Sequence, residues 1–250
     1  DRDLRVEHPI HHRHGLPVDR LADHGIQLAQ EIQNPFAEAH TYQCRGFVRD
    51  QRGEWAQAVA DFGEAARVAE RAGDPFRLYI VKAWEGRAQA MAGDPERGRA
   101  LVEESLALAT KIGTKFVRQQ QKVHLAVCLL ALGEFDAIPP SCEEAIGLAE
   151  EAGDRWIKAL SLRTLGEACS VLEPSDPQKA EAAMLEAIRI QQDIGAKPEL
   201  ARTYVSYSRI LKARGESERA KDYLTKATGM FKEMGMAWDL AQAERVLREA

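Results

Sequence analysis

The chain has 250 residues, 34 Lys+Arg against 39 Asp+Glu, a formal charge of −5 and 45% hydrophobic residues. The slight acidic excess argues against a dedicated nucleic-acid binder, which relies on a basic surface, and no run approaches the ~18–20 apolar residues that span a bilayer. The length suffices to bury a large core. The start at Asp1 and the absence of a signal-peptide pattern predict a processed chain, or a piece of a longer one, rather than a secreted precursor.

Taken in chain order, residues 1–16 read as an irregular tail, because Pro9 interrupts them and no apolar period survives. His8, His11, His12 and His14 sit there at spacings from which imidazoles can bind zinc or nickel. A mobile polar tail is the favoured reading, so no metal site is assigned. From residue 17 onward the chain repeats itself. Phe36, Phe76, Phe116, Trp156, Pro198 and Trp238 succeed one another at steps of 40, 40, 40, 42 and 40 residues. Gly73, Gly113, Gly153, Gly195 and Gly235 each lie three positions before such an anchor, and Gly53, Gly93, Gly133 and Gly215 form a second series in mid-repeat. The fourth copy carries Glu173-Pro174-Ser175-Asp176-Pro177 instead, which accounts for the longer step.

The segments between breaks are rich in Ala, Leu, Glu, Arg and Gln, good helix formers, and no run has a strand's period of two. Each repeat therefore reads as two helices. Glycine ends a helix in the left-handed conformation. Asp74, Thr114 and Asp154 are placed to cap the helices that follow, as are Asp94 and Asp176 in mid-repeat, with Pro75, Pro95 and Pro177 at first-turn positions. The expected organisation is a tail over 1–16, a partial repeat over 17–34, and five repeats at about 35–74, 75–114, 115–154, 155–196 and 197–235. A closing helix over 236–249 ends the array with a charged outer face. Gly46, Gly86, Ala126, Gly166 and Ser208 recur on the first helices. Their partners on the second helices are Ala58 and Phe62, Gly98 and Val102, Ile138 and Cys142, Ala180 and Met184, and Ala220 and Leu224. Small residues mark where two helices approach closely. Bulky Ile138, next to Pro139-Pro140, predicts a helix that starts late or is distorted.

This arrangement of small and large apolar slots resembles the tetratricopeptide repeat over about residues 17–250. The 40-residue period and the phrase Phe231-Lys232-Glu233-Met234-Gly235-Met236-Ala237-Trp238 resemble the longer arrays attached to bacterial nucleotide cyclases and to maltose-activator-type regulatory ATPases. The resemblance implies an all-α, right-handed superhelical solenoid of antiparallel helix pairs. It also implies a non-catalytic module that binds a protein, a peptide or another copy of itself, as the regulatory part of a larger bacterial signalling protein. A sensor that closes around a small ligand or peptide, and a free-standing adaptor, are the alternatives. The family's concave groove, lined by the first helices, carries over to His40, Gln43, Phe47 and Asp50 in the first copy and to Ile80, Ala83, Arg87 and Met91 in the second. The third offers Gln120, Val123, Val127 and Leu130, the fourth Leu160, Arg163, Glu167 and Ser170, and the fifth Arg202, Val205, Arg209 and Lys212.

No catalytic motif is present: neither a phosphate-binding glycine loop, nor H-E-x-x-H, nor a nucleophile elbow. No enzyme activity, cofactor, nucleic acid or membrane is therefore expected. Cys44, Cys128, Cys142 and Cys169 are widely spaced, and Asn34, the only asparagine, precedes a proline. A reduced, cytoplasmic chain is expected, with Cys142 and Cys169 acting as small core hydrophobes. The aromatic anchors are expected to pack between repeats, and truncating one would cost ~3–5 kcal/mol if it were buried. Residues 195–250 hold 11 Lys+Arg and 8 Asp+Glu, so the C-terminal end is basic and the body acidic. Arg202, Arg209 and Lys212 lie along one side of their helix, where they read either as a solvated face or as an anchor for a partner's acidic side chain or terminal carboxylate.

Overall fold

The computed structural model describes residues 17–172 and 176–248. Among them are twelve α-helices and no strand: α1 (Pro17–Glu31), α2 (Pro35–Gln51), α3 (Trp55–Arg71), α4 (Pro75–Ala92), α5 (Pro95–Ile112), α6 (Arg118–Leu132), α7 (Ile138–Ala152), α8 (Arg155–Cys169), α9 (Pro177–Asp193), α10 (Lys197–Ala213), α11 (Ser217–Met234) and α12 (Ala237–Arg248). The tail histidines, Glu173-Pro174-Ser175 and Glu249 lie outside the described residues. The chain is an all-α solenoid in which each helix packs on its neighbours in sequence and first helices pack on first helices, α4 on α6 and α6 on α8.

Local chemistry places the helix starts. The side chains of Asn34, Asp74, Asp94, Asp154 and Asp176 each accept the backbone N–H three residues on, and proline follows directly at 35, 75, 95 and 177. Thr114 departs from the expectation. Its hydroxyl accepts from the Phe116 amide and caps nothing, and α6 starts only at Arg118. Thr114-Lys115 stands where the first two copies have Asn34-Pro35 and Asp74-Pro75. The chain instead turns through Val117 at φ 57°, a conformation that β-branched residues rarely adopt. Helix α7 also starts late, after a 3-10 turn over Phe135–Ala137, with Pro139 and Pro140 in its first turn.

The small-residue slots are helix contacts. A Cβ on Gly86 would lie 2.5 Å from the Gly98 carbonyl oxygen and 2.6 Å from Val102 Cγ2, so α4 and α5 meet backbone to backbone. Gly86→Ala is expected to cost about 1–3 kcal/mol through overpacking. Gly147→Ala, on an open stretch of α7 with no atom nearby, should gain ~0.5–1 kcal/mol from helix propensity. Urea midpoints of the two variants should move in opposite directions.

The aromatic anchors pack between repeats, on an exposed rim. Phe36, Phe76, Phe116 and Trp238 are 55%, 46%, 59% and 42% exposed. They do bridge repeats: Phe76 stacks on Phe116 at 5.5 Å, Trp156 meets Trp84 at 5.8 Å and Trp238 meets Trp55 at 5.8 Å. Because each anchor sits at a helix start, on the rim of the stack, the full cost of truncating a buried aromatic does not apply. Helix α1 is tied to the first pair by Arg45, which bridges Asp23 and Asp61, and by Arg49 and Arg52 against Asp19. Its outer stripe, Leu21 and Leu28, remains exposed, as does Ile32 directly after it. The equivalents of Leu21 and Leu28 in the next copy, Asp61 and Val68, are buried, since there a first helix covers them.

Candidate functional site

The array turns far enough for its two ends to touch. A buried charge network joins them, four of its six members drawn from positions that sequence reasoning assigned to the groove wall. Asp50, at the end of α2, pairs with Arg87 of α4. Arg87 reaches Glu199 of α10 at 3.2 Å, and Glu199 also takes Arg163 of α8 at 2.6 Å and Arg202 at 2.7 Å. Arg202 then grips Asp239 of α12 through Nε at 2.9 Å and Nη2 at 3.1 Å. The same Nη2 donates to the backbone oxygens of Asp50 and Gln51 at 3.4 and 3.2 Å. Three acids face three arginines, and all six are buried. Trp55 closes the seam: Arg202 lies 4.7 Å and Arg87 5.6 Å from its ring centre, both within cation–π range. Gly53, at φ +73°, lets the α2–α3 turn come this close, because a Cβ there would overlap the Asp239 carboxylate.

Burial and charge compete within the network. For Asp50, burial outweighs the attraction of Arg87 and Arg202 and raises its pKa. For Glu199, burial also opposes ionisation, but Arg163, Arg202 and Arg87 together hold it below the usual carboxylate range. Arg202 is driven upward, because Glu199, Asp239 and Asp50 outweigh its burial. Beside the network, buried His124 donates Nδ1–H to the Ala83 carbonyl (3.0 Å), packs edge-on to Trp84 at 4.6 Å and leaves Nε2 unpaired. Burial, then Arg87, lowers its pKa to about 3.

The expected groove residues therefore divide into distinct sets. Asp50, Arg87, Arg163 and Arg202 hold the array to itself, so Arg202 has no free edge for a partner's carboxylate. Val123 and Leu160 are buried where α6, α7 and α8 meet, and Ile80 is buried with Tyr79 and Ala109. Gln120 is buried, with Nε2 unpaired. In the first copy, His40 and Gln43 receive Arg77 at 2.9 and 2.5 Å, and Phe47 packs on Trp84 and Phe62. Met91, Val127, Glu167, Val205 and Arg209 do share one cavity of about 190 Å³, with Arg163 and Arg202 in its wall. Lys212 lies outside it. Sequence reasoning missed Glu199, Asp239, Ser206 and Phe231. A signal existed for two of them: Glu199 and Asp239 occupy the slot directly after the anchor in the last two copies, where the fourth copy has Ile157.

Comparison with known proteins supports this architecture. No protein-family model matches the chain. Putative HTH-type transcriptional regulators of Mycobacterium bovis and Mycobacterium tuberculosis are 28% identical over 144 residues, 57% of this chain but 16% of theirs. The crystal structure of BtubC from P. vanneervenii aligns over 88% of this chain and 93% of that one, at a TM-score of 0.61 and 18% identity. A signal transduction ATPase with a tetratricopeptide repeat sensor from Pyrococcus horikoshii aligns over 90% of this chain and 33% of its own, at 0.59 and 16%. Aspartyl phosphate phosphatase F from Bacillus subtilis aligns over 90% and 59%, at 0.59 and 17%. The fold is that of a tetratricopeptide-like solenoid. The matched segment spans about a sixth of the curated relatives, so the solenoid corresponds to one part of much longer proteins.

No helix among the described residues is long and apolar enough to cross a membrane. Cys128, Cys142 and Cys169 are buried free thiols and Cys44 is exposed. Burial pushes Cys128 up to about 12, which keeps it protonated and unreactive at neutral pH.

Proposed function

We propose that this chain is a non-catalytic interaction module, the regulatory part of a larger bacterial signalling protein, and that it recognises its partner on the inner wall of the array. The observation carrying this reading is the half-open cavity lined by α4, α6, α8, α10, α11 and α12, apolar over most of its lining and edged by Arg209, an exposed cation outside the charge network. The partner class is a protein or peptide segment whose acidic or carboxylate end meets Arg209. The lengths of the mycobacterial regulators and of the repeat-sensor ATPase support a place within a longer protein, and the four free thiols support a reducing, cytoplasmic one. The test is partner capture from a bacterial lysate by the wild-type chain and by Val205→Trp, which fills the cavity. A protein captured by the first and lost by the second supports the reading. Equal capture by both overturns it.

One observation favours a second reading, a sensor for a small effector. With the ends locked by Arg202, the cavity of about 190 Å³ cannot admit an α-helix, which is ~10–12 Å across. A small molecule fits the closed array, whereas a helical segment requires the seam to open.

A further inference from the structure

We propose that the cavity binds a free apolar α-amino acid as its zwitterion. This rests on the second reading above and names the ligand class for it. The argument starts from charge. Asp50, Glu199 and Asp239 balance Arg87, Arg163 and Arg202 in number, which leaves two further charged side chains in the cavity wall, Glu167, in a long ion pair with Arg163, and Arg209. They occupy the same slot on successive first helices, α8 and α10, yet they form no ion pair with each other. Arg209 has no hydrogen bond or ion pair among the described residues. Glu167 is held by one oxygen: Oε1 accepts from Ser206 Oγ at 2.5 Å and pairs with Arg163 Nε at 3.8 Å, while Oε2 has no hydrogen bond among the described residues. A fixed carboxylate with a free oxygen thus stands one helix away from a free guanidinium. That pair matches the ammonium and carboxylate of one amino acid, with the guanidinium able to take a carboxylate in bidentate fashion.

The rest of the wall sets the side chain. Met91, Val127, Leu130, Val205, Phe231 and Trp238 supply an apolar lining, which excludes charged and strongly polar side chains. The volume of about 190 Å³ is slightly larger than a ~150 Å³ cavity that holds benzene, a size suited to leucine or phenylalanine and too small for a longer peptide. An apolar acid without the ammonium would leave Glu167 facing hydrocarbon. The corresponding amine would leave Arg209 unmet. Recognition should therefore require both charges.

The experiment is calorimetric titration of the 250-residue chain with L-phenylalanine, 3-phenylpropanoate and 2-phenylethylamine, which share the ring and differ in charge. The amino acid is expected to bind at least about tenfold more tightly than either analogue. Arg209→Met, at an exposed position, should leave the ligand-free melting curve unchanged and abolish the advantage over the amine. Glu167→Gln should abolish the advantage over the acid. Equal binding of phenylalanine and phenylpropanoate overturns the proposal, as does no binding by any probe in the millimolar range. If partner capture still responds to Val205→Trp while phenylalanine does not bind, the amino-acid assignment fails alone. If neither responds, the inner wall is not the recognition site.

Discussion

Arg202→Ala is expected to destabilise the chain by about 3–5 kcal/mol, the usual cost of removing one partner from a buried ion pair, and to open the array. Arg202 is the one side chain that contacts Glu199, Asp239 and the backbone oxygens of Asp50 and Gln51 together. Its loss strands Asp239 and removes one of three cations from Glu199, both in a dry interior where an uncompensated charge is costly. It also removes the direct hydrogen bonds between α2 and α10, made by residues as far as 152 positions apart in sequence. Chemical denaturation reads the first effect, and an increased radius of gyration in small-angle scattering reads the second. Arg202→Lys should recover little, because a single ammonium cannot serve two carboxylates and two carbonyls in the guanidinium's geometry. An unchanged radius in the alanine variant would show that the ends meet without this clamp.

The second large effect is on acid stability. His124 is fully buried and its pKa is lowered to about 3, so the folded chain keeps it neutral where the unfolded chain takes up a proton. Stability should therefore fall as the pH drops below about 6.5 and go on falling towards about 3, at up to ~1.4 kcal/mol per pH unit. Down to pH ~4.5 the accumulated loss is about 2–3 kcal/mol. In that window Glu199 and Glu181, both lowered, still contribute their full stabilisation, which is lost only as the pH drops further. Asp50, raised by burial, acts in the opposite direction, since its protonation relieves the burial cost. His124→Gln retains a donor for the Ala83 carbonyl and removes the titration. Its stability between pH 6.5 and 4.5 should be flatter than wild type by about 2–3 kcal/mol, measured by urea unfolding at a series of pH values.

The helices were legible in the sequence because their chemistry is local. Gly, Asp and Pro act within three or four residues of themselves, and the repeat displays each rule several times over. Helix α6 shows the limit: Thr114 has the right chemistry for a cap, yet its hydroxyl takes the Phe116 amide and the turn slides on to Val117, whereas Asp154, equally without a following proline, caps α8. The site was only half legible. Period and spacing place Arg202 and Arg209 on one side of α10, and they do not reveal that one is buried in a clamp while the other stands at a cavity mouth. That difference depends on how far the superhelix turns before α10 returns to α2, a sum of small rotations over the repeats that no single repeat encodes. The burial of the anchors was left open for a related reason. Periodicity shows that Phe36, Phe76 and Phe116 occupy equivalent places, without showing that the place is a rim.

The contact of Arg202 with the backbone of Asp50 and Gln51 has a consequence for how this chain can change over evolution. An ordinary solenoid is an open series, which tolerates the gain or loss of a unit because each unit touches only its neighbours. Here the first and last turns must come back into register for Gly53 to sit against Asp239. Deleting or duplicating one 40-residue unit would rotate α10 and α12 away from α2 and leave Glu199 and Arg87 without their full complement of partners. The copy number is thus part of the design, in the way that blade number is fixed in a closed propeller.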